Sequence, residues 1–256
     1  MNNMNGKVVI VTGGAKGIGR TIAEEFAKQQ CKVAILGRDT KAGAKAEEEL
    51  AAYTTAKFYT CDVSEVAEIK ETFERIVADF GGVDILVNNA GIPIRDKIEE
   101  IDSEKWDKYI AINTKSVFFF SQIFAEYVKA NNRGYGRIIN ISSIRSKVID
   151  TTHAGYTITK SAVNAITKCF AVSYGSCGIT TNAIAPAFVL TPMTEHYLQD
   201  PRATEVIKTI SPIGRGLDQT EIANAALFFA SPTSGGVNGQ ILYLDGGGFS
   251  FTGVFA

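Results

Sequence analysis

Tyr156 and Lys160 stand four residues apart in Tyr156-Thr157-Ile158-Thr159-Lys160. On a helix that spacing makes them neighbours on one face. An ammonium beside a phenol favours the phenolate and draws its pKa down from about 10, so the tyrosine can give and take a proton near neutrality. The pair alone is a common accident. It gains weight from Ser142-Ser143, which closes the run Arg137-Ile138-Ile139-Asn140-Ile141 one loop earlier. A serine hydroxyl at a strand end can bond a substrate oxygen while the tyrosine moves the proton.

A second group suits phosphate. An apolar run over 7–11 and Thr12 lead into Gly13-x-x-x-Gly17-x-Gly19, after which Ile18, Ile22, Phe26 and Ala27 fall on one helical face. A helix start offers unpaired N–H groups and a positive dipole end, and glycines let a pyrophosphate approach without a Cβ in the way. The spacing is not the common G-x-G-x-x-G fingerprint, so the turn on its own is weak evidence.

The elements that must position these residues alternate. Strands are expected at 7–12, 32–36, 57–61, 84–88, 137–141, 179–185 and 240–244, with helices at 17–28, 40–53, 64–80, 103–130, 156–174 and 219–230. Continuous apolar strands between helices imply a parallel sheet covered on both faces. The expected fold is therefore α/β and doubly wound, with about seven parallel strands in one domain over 1–256. Right-handed crossovers place every strand's carboxyl end on one edge, where ligands bind in such sheets. The long aperiodic stretch over 188–217 reads as a substrate lid or binding loop.

Composition narrows the function classes. A net charge of −1 over 256 residues argues against a nucleic-acid footprint, and no apolar run reaches the ~20 residues of a membrane span. The polar start, Met1 to Gly6, has no signal-peptide pattern, and Cys31, Cys61, Cys169 and Cys177 are scattered. These point to buried thiols in a cytoplasmic protein, with no metal site. The apolar circumference of the helix around 117–127 exceeds what one sheet face can cover. Phe118, Phe119, Phe120 and Phe124 are expected to meet a partner subunit, giving a homo-oligomer, dimer or tetramer, through the helices around 103–130 and 156–174.

Taken together the chain resembles the short-chain dehydrogenases/reductases. The resemblance runs from Lys7 to Gly248 and rests on Thr12-Gly13-x-x-x-Gly17-x-Gly19, Asp62, Asn88-Asn89-Ala90-Gly91, Asn113, Ser143, Tyr156-x-x-x-Lys160, Pro186 and Thr191. Ser143 precedes Tyr156 by thirteen positions, the family's usual spacing, which favours it over Ser142. The resemblance implies a Rossmann fold and transfer of a hydride between a nicotinamide and a ketone or secondary alcohol. It implies Tyr156 as acid and base, Lys160 lowering its pKa and holding the nicotinamide ribose, Ser143 polarising the carbonyl and Asn113 supporting a water in a relay. The cofactor would lie on Gly13, Lys16, Gly17, Ile18 and Gly19, then Asp62 and Val63 at the adenine, Asn89, Ala90 and Gly91, and Pro186, Val189 and Thr191 at the carboxamide.

Gly37 stands where a carboxylate would bind the adenosine ribose, and Arg38 and Lys16 are nearby cations, so NADP(H) is expected over NAD(H), with Asp39 the complication. After Pro186 most relatives have glycine, and this chain has Ala187. Substrate walls are expected from Ile94, Arg95, Ile144, Arg145, Asp150, His153, Phe188 and 193–198, with His153 at the rim. Carrier-protein reductases of the family usually carry an arginine in the helix after the tyrosine, where this chain has Val172. The main expectation is an NADPH-dependent carbonyl reductase acting on a small-molecule substrate. The alternatives are a 3-oxoacyl-(acyl-carrier-protein) reductase, a sugar or polyol dehydrogenase, and a non-catalytic NADP-binding regulator.

Overall fold

The computed structural model describes residues 4–191, 194, 205, 207 and 211–249. Seven strands form one sheet: β1 Val8–Thr12, β2 Lys32–Gly37, β3 Ala56–Thr60, β4 Ile85–Asn88, β5 Gly136–Ile141, β6 Ile179–Pro186 and β7 Ile241–Leu244. Their order is β3-β2-β1-β4-β5-β6-β7, with every pairing parallel. The chain winds outward from β1 through β2 to β3, then crosses back to place β4 on β1's other side. A crevice therefore opens between the carboxyl ends of β1 and β4.

The helices bounded within the described residues are α1 Gly17–Lys28, α2 Thr40–Leu50, α3 Val66–Phe80, α4 Ser103–Ile110, α5 Ser116–Ala130, α6 Ala154–Tyr174 and α7 Gln219–Ala230. Two cores result, one on each sheet face. Val9, Val11 and Ile35 meet Ile22 and Phe26 of α1 and Phe229 of α7. Val8, Ile10 and Leu36 meet Ile69 and Phe73 of α3 and Phe124 of α5. Alternate residues of one strand thus serve opposite cores, which is why the strands read as unbroken apolar runs.

Local signals set the ends. Asp39 caps α2 through the Ala42 amide at 3.0 Å. Gly81, at φ +77°, closes α3 in the left-handed conformation. Asp218 and Glu221 form a reciprocal cap on α7. The second helix ends at Leu50 rather than 53, and the third begins at Val66 rather than 64.

Three expectations change. The helix over 103–130 is not uniform, because a π-helical turn, Ala111–Lys115, separates α4 from α5. Phe120 and Phe124 are buried within the chain, since their i,i+4 spacing turns both toward α3 and the sheet; Phe118 is 38% exposed. Cys169 is exposed, and Cys177 is half-buried at the margin of the second core. Most of the stretch over 188–217, including 193 and 195–198, lies outside the described residues. Its ends are tied by a bridge between Val189 and Leu217.

Candidate active site

The carboxyl edge begins at the glycine turn. Gly13 and Gly17 have φ of +64° and +54°, a conformation that side chains rarely adopt. A Cβ on Gly19 would lie 2.4 Å from both Asn89 Nδ2 and the Gly13 carbonyl oxygen. Thr12 locks the turn to the end of β4. Its hydroxyl accepts the Asn89 and Ala90 amides, each at 2.9 Å, and donates to the Val87 carbonyl at 3.3 Å. Asn89 Nδ2 returns a bond to the Thr12 carbonyl at 2.9 Å. Sequence reasoning assigned Thr12 no role. The signal was its place as a lone hydroxyl ending an apolar strand, beside the glycine.

This cradle fits a dinucleotide. No side chain caps the start of α1, so its first-turn amides stay available to a phosphate. Nothing lies within 4 Å of a Cβ position on Gly17, and only Phe58, at 3.7 Å, approaches that of Gly37. Around Gly37 the charges are paired. Lys16 reaches Asp39 at 2.5 Å, and Arg38 reaches Asp62 at 3.3 Å. Lys16, through its hydrogen bond, and the Ala42 amide hold the Asp39 carboxyl below its ordinary value. Burial works against Asp62, but its bonds from Ser64 and the charge of Arg38 keep that carboxyl low too. Val63 is buried next to it.

The reacting groups gather at the ends of β5 and β4. Ser142 turns its hydroxyl to the Lys160 carbonyl at 3.2 Å. Ser143 Oγ accepts the Arg145 amide at 3.1 Å and lies close enough to the Tyr156 hydroxyl to favour the phenolate. Lys160 is buried, donates to the Ile141 carbonyl at 2.8 Å, and sits 5.7 Å from the Tyr156 ring centre. Burial pushes the Lys160 ammonium down to about 8. Burial also raises the Tyr156 phenol above its ordinary value, while Ser143 and Arg145 pull it back. The expected lowering by Lys160 is therefore not the governing effect in the protein alone. Desolvation dominates at the phenol, and the ammonium is held by a strand carbonyl.

Asn113 lies in the π-helical turn and is fully buried. Its Oδ1 accepts the Ile92 amide at 2.8 Å, and its Nδ2 donates to the Ile92 carbonyl at 3.1 Å and to Thr159 Oγ1 at 3.4 Å. Asn113 Oδ1 and Lys160 Nζ flank one space beside Gly91, lying 3.2 and 3.6 Å from a Cβ position there. A side chain on Gly91 would fill the space they share.

Pro186 ends β6, and Ala187 continues with its amide on the Leu244 carbonyl at 2.8 Å. Ala187 is not among the positive-φ residues, so its Cβ causes no strain there. Val189 is buried, and Thr194 ties the Thr191 amide at 2.8 Å and the Val189 carbonyl at 2.7 Å. Gly13 to Gly19, Arg38, Asp62, Asn89 to Gly91, Ser143 and Pro186 to Thr191 thus all follow the carboxyl ends of neighbouring parallel strands. Asn113, Tyr156 and Lys160 come to the same edge from the helices. Between Ser143 and α6, the loop brings Arg145 and His153 each onto Asp150.

A glycine cradle at the sheet's switch point, with half-buried Tyr156 between buried Ser143 and Lys160 beside it, defines a nicotinamide-dependent oxidoreductase. Residues 13–248 match the family model described as Enoyl-(Acyl carrier protein) reductase. The chain is 36% identical over 249 residues to a gluconate 5-dehydrogenase of Gluconobacter oxydans, covering 96% of this chain and 95% of the relative. It is 36% identical over 245 residues to the 3-oxoacyl-[acyl-carrier-protein] reductase of Escherichia coli, covering 96% and 98%. A crystal structure provisionally assigned as a gluconate dehydrogenase, from Agrobacterium tumefaciens, superposes with a TM-score of 0.92 at 34% identity, covering 97% of this chain and 98% of that one. The chain belongs to the short-chain dehydrogenase/reductase family. It is an oxidoreductase acting on CH–OH and C=O groups with a nicotinamide cofactor. Among the described residues, no helix is long and apolar enough to cross a membrane.

Proposed function

We propose that the protein reduces a ketone, and oxidises the matching secondary alcohol, with Tyr156 as the proton-transfer group and NADP(H) as the preferred cofactor. The observation that carries this reading is the Tyr156 hydroxyl beside Ser143 and the buried Lys160, on the same edge as the glycine cradle. Bound there, the nicotinamide supplies or takes up the reducing equivalents. Ser143 holds the substrate oxygen and polarises it. Tyr156 gives its proton to that oxygen in reduction and takes it back in oxidation. Lys160 compensates the phenolate left behind, and its position beside Gly91 suits the nicotinamide ribose. Asn113, facing the same space, supports the return of a proton through water to Lys160. Gly13, Lys16, Gly17, Ile18 and Gly19 would hold the pyrophosphate; Asp62 and Val63 the adenine; Asn89, Ala90 and Gly91 the middle; Pro186, Val189 and Thr191 the carboxamide.

Three features support NADP(H). Gly37 occupies the carboxylate position, Arg38 adjoins it, and Asp39 is already engaged by Lys16 and the α2 cap. Val172, 86% exposed, favours a small substrate over an acidic carrier protein at the place where relatives that bind one carry an arginine. The apolar groove between α5 and α6, lined by Phe118, Phe119, Ala162, Ala165, Ile166 and Cys169, supports a homo-oligomer. The test is kcat/KM with NADPH and NADH across ketones, keto-acids, sugars and acyl thioesters. Turnover of a ketone with NADPH preferred is expected. Equal or better use of NADH removes the cofactor assignment, and no turnover of any carbonyl removes the reaction.

A further inference from the structure

Ten residues join Ser143 to α6, and the side chains of Arg145, Thr152 and His153 converge on the Asp150 carboxylate. Asp150 Oδ1 accepts the Thr152 amide at 2.8 Å and the Thr152 hydroxyl at 3.0 Å. His153 Nδ1 lies 2.8 and 3.0 Å from the two Asp150 oxygens, and Arg145 pairs with Oδ2. Burial works against the charge on Asp150, but His153, Thr152 and Arg145 hold the carboxyl down to about 2. The carboxylate is an acceptor already used by four donors, so it serves as an anchor rather than as a group free for substrate.

The anchor dictates what the other two residues present. A carboxylate against Nδ1 requires the proton on Nδ1, which leaves Nε2 of the neutral ring as a lone-pair acceptor. The Thr152 hydroxyl, 2.9 Å from Nδ1, donates to Asp150 and reinforces the same tautomer. Among the described residues Nε2 has no hydrogen-bond partner, and the Arg145 contacts engage only one terminal nitrogen of its fork. The dyad therefore presents an acceptor and a donor set that nothing in the fold uses. Both adjoin the reacting residues along the chain. His153 is the residue before α6, with a non-helical backbone, three positions ahead of Tyr156. Arg145 follows Ser143 by two, and its charge is felt at the Tyr156 hydroxyl.

We propose that Arg145 and His153, aligned by Asp150, form a subsite that reads a hydroxyl on the carbon next to the reacting one. The substrate class is then a polyhydroxylated carbonyl or alcohol, such as a sugar acid or a polyol. This rests on the reading of Tyr156 and Ser143 as the reacting groups. A hydroxyl matches the subsite because it donates to Nε2 and accepts from the guanidinium at once. An unsubstituted alkyl chain desolvates His153 Nε2 and the second Arg145 nitrogen without replacing their bonds to water, a loss that sites built to bond a hydroxyl turn into large discrimination.

The test measures oxidation of D-threitol, D-gluconate and 2-butanol by wild type, His153→Leu, His153→Gln and Asp150→Asn. Wild type should prefer at least one hydroxylated substrate over 2-butanol by about 100-fold or more in kcat/KM. His153→Leu should erase most of that preference, lowering the hydroxylated substrate at least 10-fold more than 2-butanol. His153→Gln, which keeps an acceptor near the Nε2 position, should recover part of it. Asp150→Asn should weaken it, with the loss seen in KM more than in kcat. Arg145→Met should lower threitol and gluconate alike; a loss confined to gluconate places the guanidinium on the acid's carboxylate and overturns its part in reading the hydroxyl. Equal losses on all three alcohols in His153→Leu, or a wild type that favours 2-butanol, overturns the subsite while leaving the reductase reading intact. Wild type inactive on every alcohol and ketone counts against that reading instead.

Discussion

The two sides of the cleft are built by different means. The nucleotide side, at the ends of β1, β2 and β4, is made of backbone. Gly13, Gly17 and Gly19 shape it, and Thr12 and Asn89 fix it with bonds to main-chain groups. The substrate side is made of side chains on one loop, with Asp150 holding Arg145 and His153 in place. Backbone geometry recognises phosphate whatever the rest of the ligand is. Side-chain geometry recognises a particular arrangement of hydroxyls. The first can be shared across a family of many substrates, and the second can change in one chain without disturbing the fold. Between them lie Ser143, Tyr156 and Lys160, held by one strand end and one helix.

Mutations should separate the two sides. The largest effect on the nucleotide side is expected from Gly19→Ala. The added Cβ meets Asn89 Nδ2 and the Gly13 carbonyl oxygen at 2.4 Å, and the Gly13 backbone cannot yield as a flexible side chain would. Overpacking of this kind costs about 1–3 kcal/mol of stability. Cofactor affinity, read by fluorescence titration, should fall about 100-fold for NADPH and NADH alike, as 1.4 kcal/mol corresponds to a factor of ten. Similar affinity in the variant would mean that the turn does not carry the pyrophosphate.

Arg38→Ala should be smaller and selective. A charge-assisted bond to a 2′-phosphate contributes about 1.5–3 kcal/mol, so kcat/KM with NADPH should fall about tenfold or more while NADH changes little. A parallel fall with both would show that Arg38 acts only through its pair with Asp62.

Lys160 predicts the smallest and most local effect, on the stability of the cofactor-free protein. Its folded pKa of about 8 lies below the unfolded value of 10.5, so between those values the unfolded chain binds the extra proton. Stability from this group therefore rises as pH climbs from about 8 to about 10.5, and the penalty is fully present below 8. Urea unfolding of wild type and Lys160→Met at pH 7.5 and 9.5 checks it. The variant should be favoured relative to wild type at the lower pH, and that advantage should shrink at the higher. No pH dependence in the difference would mean that the ammonium is solvated.

The same division explains what could be read in advance. The seven strands and the order of helices were legible because two buried faces force apolar runs, and because helix stripes such as Ile69, Phe73 and Ile76 repeat with the right period. Tyr156, Lys160 and Ser143 were legible because helix spacing and strand ends carry them to one edge. The π-helical turn at Ala111–Lys115 was not, since one extra residue in a turn leaves no periodic mark over so short a span. The burial of Phe120 and Phe124 was missed because an apolar helix does not say which face meets its own sheet. The Asp150 anchor was also invisible. Arg145, Asp150 and His153 could be placed on a loop, but which of them binds which depends on a path that no pattern encodes. The direction of the Tyr156 shift was misjudged for a related reason, since spacing reports a neighbouring charge and not the depth of burial.

The central claim is that the Tyr156 phenol moves the proton while the cradle independently holds the cofactor. Single-turnover reduction by Tyr156→Phe, measured with the variant's NADPH dissociation constant, tests it most directly. The account predicts a rate lower by about 10²–10⁴, the usual contribution of a positioned proton donor, with cofactor affinity within about threefold of wild type. A rate within tenfold of wild type at full cofactor occupancy would contradict it.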